Sequence, residues 1–308
     1  MKISSLKMYL SHPVRFLTRV GESSFMKKMS DERYLKMVFK DTMGYSLNLK
    51  EPRTFNEKLQ WLKLYDRKPI YTDMVDKFGA KKYIADIVGE EYIIPTLGVW
   101  DSFDEIDFDL LPDQFVLKCT HDSGGLIICR DKSKLNKSAA KEKIEKCLKR
   151  NYYWSSREWP YKNVPPRIIA EAYLGENLQD YRIYCFNGEP KLVYSYGNES
   201  NEVGNKPEPA TCDILDDKWE RMPFRQKSPP SENLPVKPAH FDEMLKISKI
   251  LARDIPFLRV DFYDTTKMYI GELTFYPGGG ISKFYPNEWD EKLGEWIKLP
   301  EKKTETKK

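Results

Sequence analysis

The chain contains the sequence Phe257-Leu-Arg-Val-Asp-Phe-Tyr263, followed by Tyr269-Ile-Gly-Glu-Leu-Thr-Phe-Tyr-Pro-Gly-Gly-Gly280. Both runs are apolar and rich in β-forming residues, and Asp264-Thr-Thr-Lys267 between them is typical of a turn, so we predict a β-hairpin. Each strand carries one acid, Asp261 or Glu272, and antiparallel pairing would bring the two carboxylates together. Carboxylates that close either share a proton or are neutralised by a hard cation such as Mg2+.

Two acids on a hairpin are otherwise ordinary solvent-facing residues, and two neighbouring features favour a metal site instead. Arg259 precedes Asp261 by two residues and therefore lies on the same strand face. Pro277-Gly-Gly-Gly280 provides backbone that can approach a ligand closely.

The composition is that of a soluble globular protein with a mixed surface. The 308 residues include 51 basic and 47 acidic side chains, a net charge of +4, which excludes a nucleic-acid polycation. The five cysteines are odd in number and widely spaced, which favours a reduced, cytoplasmic compartment. We find neither a run of about 20 apolar residues that could span a membrane nor a signal-peptide core.

The N-terminal region, residues 1–71, is predicted to be mostly helical. Residues 1–28 form a basic amphipathic pattern that either packs on the rest of the protein or lies weakly on the inner face of an anionic membrane; a proline after His12 interrupts it, which favours packing. Thr54-Phe-Asn-Glu57 has the spacing of a capping box at the start of a helix. At the other end of the chain, residues 301–308 are a Lys-rich, disordered tail.

In the middle of the chain, a helix is predicted over residues 72–88, with Asp76 and Lys77 near its start. A short buried strand, Phe115–Cys119, places Lys118 before the small-residue turn Thr120-His-Asp-Ser-Gly-Gly125. A lysine facing a glycine turn is a reasonable phosphate clamp, although no P-loop motif is present.

Further elements follow at intervals typical of an α+β protein. Helices are predicted over residues 138–150, with Ser138 as the cap, and over 239–254. An aromatic, charged segment, residues 151–161, is either a substrate-covering loop or a packed surface loop. Strands are predicted over 92–100, 167–174, 180–186 and 191–196, the last two joined by Asn187-Gly188 as a hairpin, and a further strand pair around Cys212 and Trp219.

Six short motifs occur in an order that resembles that of the ATP-grasp superfamily. The segment Thr54-Phe-Asn-Glu-Lys-Leu-Gln-Trp61 resembles the TupA-like, teichuronopeptide-biosynthesis branch of that superfamily. The motifs are Asp76-Lys77, Phe115-Val-Leu-Lys118, Ile169-Ala-Glu171, Asp180-Tyr-Arg182, Arg259-Val-Asp261 and Glu272-Leu-Thr-Phe-Tyr-Pro-Gly278. The resemblance implies the ATP-grasp fold, an α+β (α/β) class in which two subdomains, residues 72–174 and 175–300, grip ATP behind a helical N-terminal extension.

The resemblance also implies roles for individual residues at a nucleotide site. Lys77 and Lys118 would neutralise the phosphates. The loop that closes over the phosphates contains Ser123, Gly124 and Gly125. The adenosine half would be bound by Glu171 at the adenine amino group, by the backbone of Ala172, Tyr173 and Leu174 at the ring edge, and by Asp180 at the ribose.

The reacting end of the site follows from the same resemblance. Asp261 and Glu272 would bind Mg2+, with Thr274 at the position of the usual asparagine ligand. Arg259 would stabilise the developing oxyanion, and it and Lys118 are the implied catalytic residues. Ligases of the superfamily place a Rossmann-like domain, which helps to bind the acceptor substrate, before the Asp-Lys motif. Helical sequence precedes Asp76 here, so the resemblance does not identify the acceptor substrate.

The implied activity is an ATP- and Mg2+-dependent carboxylate-amine ligase that joins an amino acid to a uronic acid, or extends an amino-acid chain, in capsule or cell-surface polysaccharide synthesis. Phosphotransfer without amide formation is one alternative. A glycosyltransferase is another, because Asp107-Phe-Asp109 has the spacing of a metal-binding Asp-x-Asp motif, although a solvated turn also explains it. A nucleotide-binding scaffold without turnover is the non-enzymatic alternative.

Overall fold

A computed structural model describes residues 24–176, 178–196 and 211–302 of the chain. Most of the basic N-terminal segment, residues 303–308 of the expected tail and residues 197–210 lie outside this range. Within it, no helix combines the length and the apolar character that crossing a membrane requires.

Two antiparallel sheets form the centre of the fold. The four-stranded sheet has the order β1-β4-β2-β3 and the five-stranded sheet the order β7-β6-β5-β8-β9. The strands are β1 (Thr96–Trp100), β2 (Phe115–Cys119), β3 (Leu126–Cys129), β4 (Ile168–Ala172), β5 (Asp180–Phe186), β6 (Glu189–Tyr196), β7 (Cys212–Asp216), β8 (Phe257–Asp264) and β9 (Met268–Thr274). The expected boundary between residues 174 and 175 falls between β4 and β5, and the division into two subdomains stays a prediction.

Nine α-helices lie in the described part of the chain, and several pack on the two sheets. They are α1 (Ser24–Lys28), α2 (Asp31–Met43), α3 (Phe55–Tyr65), α4 (Ile70–Val75), α5 (Gly79–Val88), α6 (Lys137–Leu148), α7 (Tyr153–Ser156), α8 (Phe241–Leu251) and α9 (Glu288–Glu295). The predicted capping box is present at α3, where the Thr54 hydroxyl accepts from the Glu57 N–H and the Glu57 carboxylate accepts from the Thr54 N–H.

Both predicted hairpins form. In β8 and β9, the two strands pair antiparallel around the turn at residues 264–267, and a register shift between Asp261 and Phe262 places Asp261 directly opposite Glu272. The turn between β5 and β6 has Asn187 at φ 49° and Gly188 at φ 84°, the left-handed conformation that an Asn-Gly hairpin turn requires.

The predicted helix over residues 72–88 is instead two helices, α4 and α5, which are separated at Asp76. One oxygen of the Asp76 carboxylate accepts from the Phe78 N–H, and Arg167 donates to the other at 2.6 Å. The Lys77 N–H leaves the helix and donates to the Thr120 carbonyl at 3.1 Å. A short acidic side chain that bonds to nearby backbone competes with helix formation, which is why the helix stops there.

Other predicted boundaries shift by a few residues. The helix expected over 138–150 spans Lys137–Leu148, and Asn136 rather than Ser138 caps it by accepting from the Ala139 N–H. The helix expected over 239–254 spans Phe241–Leu251, and the strand expected from residue 92 begins only at Thr96. The strand pair expected around Cys212 and Trp219 is only partly present in the described residues: β7 pairs with β6 along its length, and the chain around Trp219 adds a single bridge, between Leu215 and Arg221.

The largest apolar core lies beneath the five-stranded sheet, and a second lies behind the four-stranded sheet. A third, smaller core joins the N-terminal helices through Tyr34, Leu35 and Phe39. All five cysteines are buried and form no disulfide. The two sheets therefore rest on separate cores, and the cleft between them carries the polar residues described below.

Candidate active site

An apolar cavity of about 160 Å³ opens between the two sheets. Its walls come from β2, β3, β4 and the following loop, and β8 closes it through Tyr263. The lining includes Ile94, Val116, Leu126, Ile128, Arg130, Ala172, Tyr173, Leu174 and Leu178, with Lys118, Glu171 and Asp180 as polar members. The structure thus brings together the residues predicted for the adenosine half of the site.

Glu171 is a buried acid at the edge of this cavity, and both of its carboxylate oxygens bind lysines. Lys81 lies 2.6 Å from Oε1 and Lys118 lies 2.6 Å from Oε2. Burial alone would raise the pKa of Glu171, but the two ammonium groups outweigh it and hold the pKa below its ordinary value. The same carboxylate holds the pKa of Lys118 above its ordinary range against the effect of burial. In this state Glu171 therefore orients two cations.

Sequence reasoning assigned no role to Lys81. Helical spacing from Lys77 does not mark it, because Lys77 lies in the break between α4 and α5. Lys81 also donates to the Ile94 carbonyl at 2.6 Å. A second, smaller cavity of about 20 Å³ is lined by Lys77, Lys81, Glu171 and Glu272. The two lysines therefore share this cavity with Glu272, the acid on β9.

The glycine turn after β2 is held by Asp122. The Asp122 carbonyl accepts from the Lys77 ammonium at 2.8 Å, and its carboxylate accepts from the Ser123 N–H and from Arg150. The two glycines of the turn are packed tightly: a Cβ on Gly124 would lie 2.6 Å from the Arg150 guanidinium, and one on Gly125 would lie 2.4 Å from the Cys119 Sγ. At these two positions, only glycine fits without movement of a neighbouring side chain. The hydrogen bond from Lys77 to the Asp122 carbonyl connects the turn to the cleft.

Alternating charges cross the five-stranded sheet at the other side of the cleft. Arg182 on β5, Asp261 on β8 and Glu272 on β9 occupy directly opposite positions. Arg259 donates to both oxygens of Asp261, at 2.6 and 2.5 Å, and lies 3.8 Å from Oε2 of Glu272. Arg182 donates to Asp180 at 2.5 and 2.9 Å and lies 3.7 Å from Asp261. Sequence reasoning found the acids and Arg259 and left Arg182 without a role.

The two predicted metal ligands have different electrostatic surroundings. Burial raises the pKa of Asp261 to about 6, and Arg259 and Arg182 oppose this effect. Burial would also raise the pKa of Glu272, but Lys77, Arg259 and Arg182 together hold it below its ordinary value. Lys77 and Glu272 also line the same small cavity, so this lysine and the acid of β9 both face the cleft.

The oxygens of Asp261 and Glu272 are of the kind that Mg2+ prefers. Across residues 24–176, 178–196 and 211–302, no group of three His, Cys, Asp or Glu side chains could hold a metal ion. Mg2+ commonly binds through one or two carboxylates together with water and substrate phosphates, so this pair fits a cation that arrives with a nucleotide. The Thr274 hydroxyl donates to Oε1 of Glu272 at 3.2 Å and so orients that carboxylate.

The aromatic segment after α6 is packed rather than exposed. Tyr153, Arg157, Glu158 and Tyr161 are all buried. Burial raises the pKa of Glu158, and Lys63 opposes this effect. By contrast, Asp107 and Asp109, the Asp-x-Asp pair, are exposed, and the Asp107 carboxylate accepts from the Asp109 N–H, as expected for a solvated turn.

Comparison with solved structures shows a similar fold. An L-amino acid ligase from Bacillus licheniformis is 13% identical, with 90% of this chain and 65% of that chain covered and a TM-score of 0.50. A D-alanine–D-alanine ligase from Bacillus anthracis complexed with ATP is 16% identical, with 66% of this chain and 54% of that chain covered and a TM-score of 0.39. The chain therefore spans between about half and two thirds of the length of these relatives.

None of the curated proteins matched this chain. A family model described as TupA-like ATPgrasp matches residues 57–298, a range that runs from α3 through both sheets to the end of α9 and contains all the cleft residues described above. This match confirms the resemblance found in the sequence, and the architecture of two antiparallel sheets agrees with it. The chain belongs to the TupA-like family of ATP-grasp proteins.

Proposed function

We propose that this protein is an ATP- and Mg2+-dependent carboxylate-amine ligase. One observation carries the proposal: Lys77 and Lys81 share a small cavity with Glu272, the strand partner of Asp261, and Lys118 lines the apolar cavity of about 160 Å³ beside it. Such a site suits a triphosphate whose base enters the cavity. Positioning and charge neutralisation then supply most of the catalysis.

In this reaction, a carboxylate oxygen of the first substrate attacks the γ-phosphorus of ATP, and ADP leaves with the electron pair of the broken P–O bond. The ammonium group of the second substrate gives up a proton to solvent, and its neutral nitrogen then attacks the acyl carbon. The C–O bond to phosphate breaks, inorganic phosphate leaves with the electron pair, and the nitrogen loses a second proton as the amide forms. We assign Lys77, Lys118 and the turn Ser123-Gly-Gly125 to the phosphates. Arg259 is assigned to the oxyanion.

The adenosine half of the nucleotide is assigned to the cavity. Ala172, Tyr173 and Leu174 contact the base through backbone groups, with Glu171 beside the amino group and Asp180 at the ribose. Glu171 is bound to two lysines in this structure, so it also fixes the ammonium groups that meet the phosphates. Asp261 and Glu272 are assigned to Mg2+, which when bound supplies charge neutralisation for the phosphates.

The resemblance to the teichuronopeptide-biosynthesis branch is the basis on which we propose a role in bacterial surface-polysaccharide synthesis. We therefore propose a uronic-acid carboxylate or the end of an amino-acid chain as first substrate and an amino acid as second. The five buried cysteines, none of which forms a disulfide, agree with a cytoplasmic site of action, where ATP is made.

The test is incubation of the purified protein with ATP, Mg2+ and crossed panels of uronic acids and amino acids, followed by measurement of released phosphate and of product mass. A ligase gives a product whose mass equals the two substrates less one water, together with ADP and phosphate. ADP formation with a phosphorylated sugar and without an amine would instead establish a phosphotransferase.

A further inference from the structure

Glu158, in the aromatic segment between α6 and β4, is a buried acid for which the proposed reaction has assigned no role. Its neighbour Arg157 is 1% exposed, and its guanidinium carbon lies 4.5 Å from the ring centres of both Tyr34 and Trp154. Arg157 also donates to the Met26 carbonyl at 2.5 Å. These contacts attach the segment to the N-terminal helices and hold Glu158 in place.

Glu158 is 3% exposed and has very few partners. The Ser156 hydroxyl donates to Oε1 at 2.6 Å. No other residue in the described ranges forms a hydrogen bond or an ion pair with this carboxylate. Burying a carboxylate with so few donors costs considerable free energy, and such a group normally has a partner. The missing partner is therefore to be sought in a ligand.

Lys63 is the candidate cation within the protein, because its charge acts on Glu158. All three N–H donors of its ammonium group, however, already form hydrogen bonds with other acceptors. It donates to the Gln60 Oε1 at 3.1 Å, to the Ser156 carbonyl at 2.8 Å and to the Gly279 carbonyl at 2.7 Å. An ammonium group has three donors, so none remains for Glu158. Lys63 acts on Glu158 through its charge and fixes the glycine segment after β9.

The position of Glu158 relative to the reacting groups follows from the contacts of the segment around it. Lys63 donates to the carbonyls of both Ser156 and Gly279, so the hydrogen bond between Ser156 and Glu158 lies beside the glycine segment that follows β9. Residues 159–163, which follow Glu158, pack on α4, and α4 also packs on β9. Glu158 therefore lies beside the glycine segment and near β9, the strand that carries Glu272, on the side of the N-terminal helices.

We propose that Glu158 binds the protonated amine of the second substrate, an inference that rests on the ligase function proposed above. A primary ammonium group matches a buried carboxylate because it supplies both the missing charge and several donors. A metal ion fits less well, since no third acidic, His or Cys ligand joins the group within the described residues. The helical N-terminal region would then help to build the acceptor site through the segment that it holds.

The test compares the parent protein with Glu158→Gln, each loaded with Mg2+ and a non-hydrolysable ATP analogue. Calorimetric titration with the common L-amino acids identifies those that bind. The tightest is compared with its 2-hydroxy analogue, in which a hydroxyl replaces the ammonium group. We expect the parent to prefer the amine, and Glu158→Gln to lose about 30-fold or more of the affinity for it. Nucleotide affinity should change by less than about twofold, because Glu158 does not line the nucleotide cavity.

Glu142→Gln, the same acid-to-amide change at an exposed position of α6, is the matched control and should bind the amine like the parent. Equal amine binding by Glu158→Gln, or no amino acid bound by the parent, would overturn the inference. If Glu158→Gln does not fold, the comparison of the two ligands with the parent protein remains as the test. Equal affinity of the parent for the amino acid and for its hydroxy analogue would reject a contact with a charged amine. A parent that binds the amine but forms no amide would reject the proposed function and leave this inference standing.

Discussion

Glu171 illustrates how one residue connects binding to stability at this site. It is 4% exposed, and it forms ion pairs with Lys81 on α5 and Lys118 on β2. Two separate elements are therefore joined through a single carboxylate. Removing that carboxylate would leave two partly buried cations unpaired, and breaking such a pair is strongly destabilising.

Glu171→Gln should lower the free energy of unfolding by roughly 3 kcal/mol at pH 7. Because the folded-state pKa of Glu171 lies below its ordinary value, this contribution is fully present above the unfolded pKa of about 4.3 and is lost as the pH falls through the folded pKa. The difference between parent and variant should therefore shrink at acid pH. Urea unfolding at pH 7 and at pH 4 measures it, and a difference that grows at pH 4 would contradict the assignment.

Glu272→Gln is the sharper test of the metal-binding pair, because Asp261 is tied to Arg259 whereas the Glu272 side chain is 33% exposed. We expect ADP formation to fall about 100-fold or more, since charge stabilisation at the reacting phosphate is lost. The melting temperature should stay close to that of the parent. Turnover within a few-fold of the parent, measured by coupled ADP assay at saturating Mg2+, would remove Glu272 from the metal site.

At the scale of elements, α3 has a structural role that its sequence only partly reveals. Its capping box at Thr54 and Glu57 is visible in the sequence and present in the structure. Its buried face carries Gln60 and Lys63, which donate to the carbonyls of Gly279 and Gly280. The helix therefore fixes the glycine segment that follows the metal-binding strand.

Thr54→Ala should cost about 1 kcal/mol, which lowers the melting temperature by about 2 °C, because the Glu57 N–H loses its acceptor. Ser30→Ala is a matched control, since Ser30 occupies the N-cap of α2 but makes no capping hydrogen bond through its side chain. Differential scanning calorimetry of both variants measures the effect. Equal losses in the two variants would show that the capping hydrogen bond contributes nothing measurable.

At the scale of the whole molecule, the cleft is formed by two sheets that rest on separate cores. Lys118 and Glu171 come from the four-stranded sheet, and Asp261 and Glu272 from the five-stranded sheet. A ligand that contacts both sides binds only the folded protein. Its binding free energy is therefore added to the stability of the whole chain.

Mg2+ with a non-hydrolysable ATP analogue should raise the free energy of unfolding by about 2.7 kcal/mol at 100 times its Kd. The stabilisation should need both components, because the pair of acids binds a cation held by the phosphates. Thermal unfolding with ATP analogue, with Mg2+ and with both measures this. Stabilisation by UDP-sugars in place of the ATP analogue would favour the glycosyltransferase alternative.

The patterns that predicted the fold are local. Alternating side chains in Phe257–Tyr263, the Asn187-Gly188 turn and the capping box at Thr54 each depend on residues a few positions apart, so they are readable without tertiary information. The opposition of Asp261 and Glu272 is not set by the turn alone. The register at the turn would place Gly271 opposite Asp261, and a register shift between Asp261 and Phe262 brings Glu272 there instead.

The sequence by itself therefore determined the hairpin that carries both acids, the lysine before the glycine turn and the family to which the chain belongs. Only the tertiary structure decided which partners the charged groups take. Lys81 meets Glu171 across 90 positions of sequence, and Glu158 is buried without a cation at hydrogen-bonding distance among the described residues. Burial and pairing with residues distant in sequence determine the free energy of a charged side chain, and the spacing of neighbouring residues in the sequence reveals neither of them.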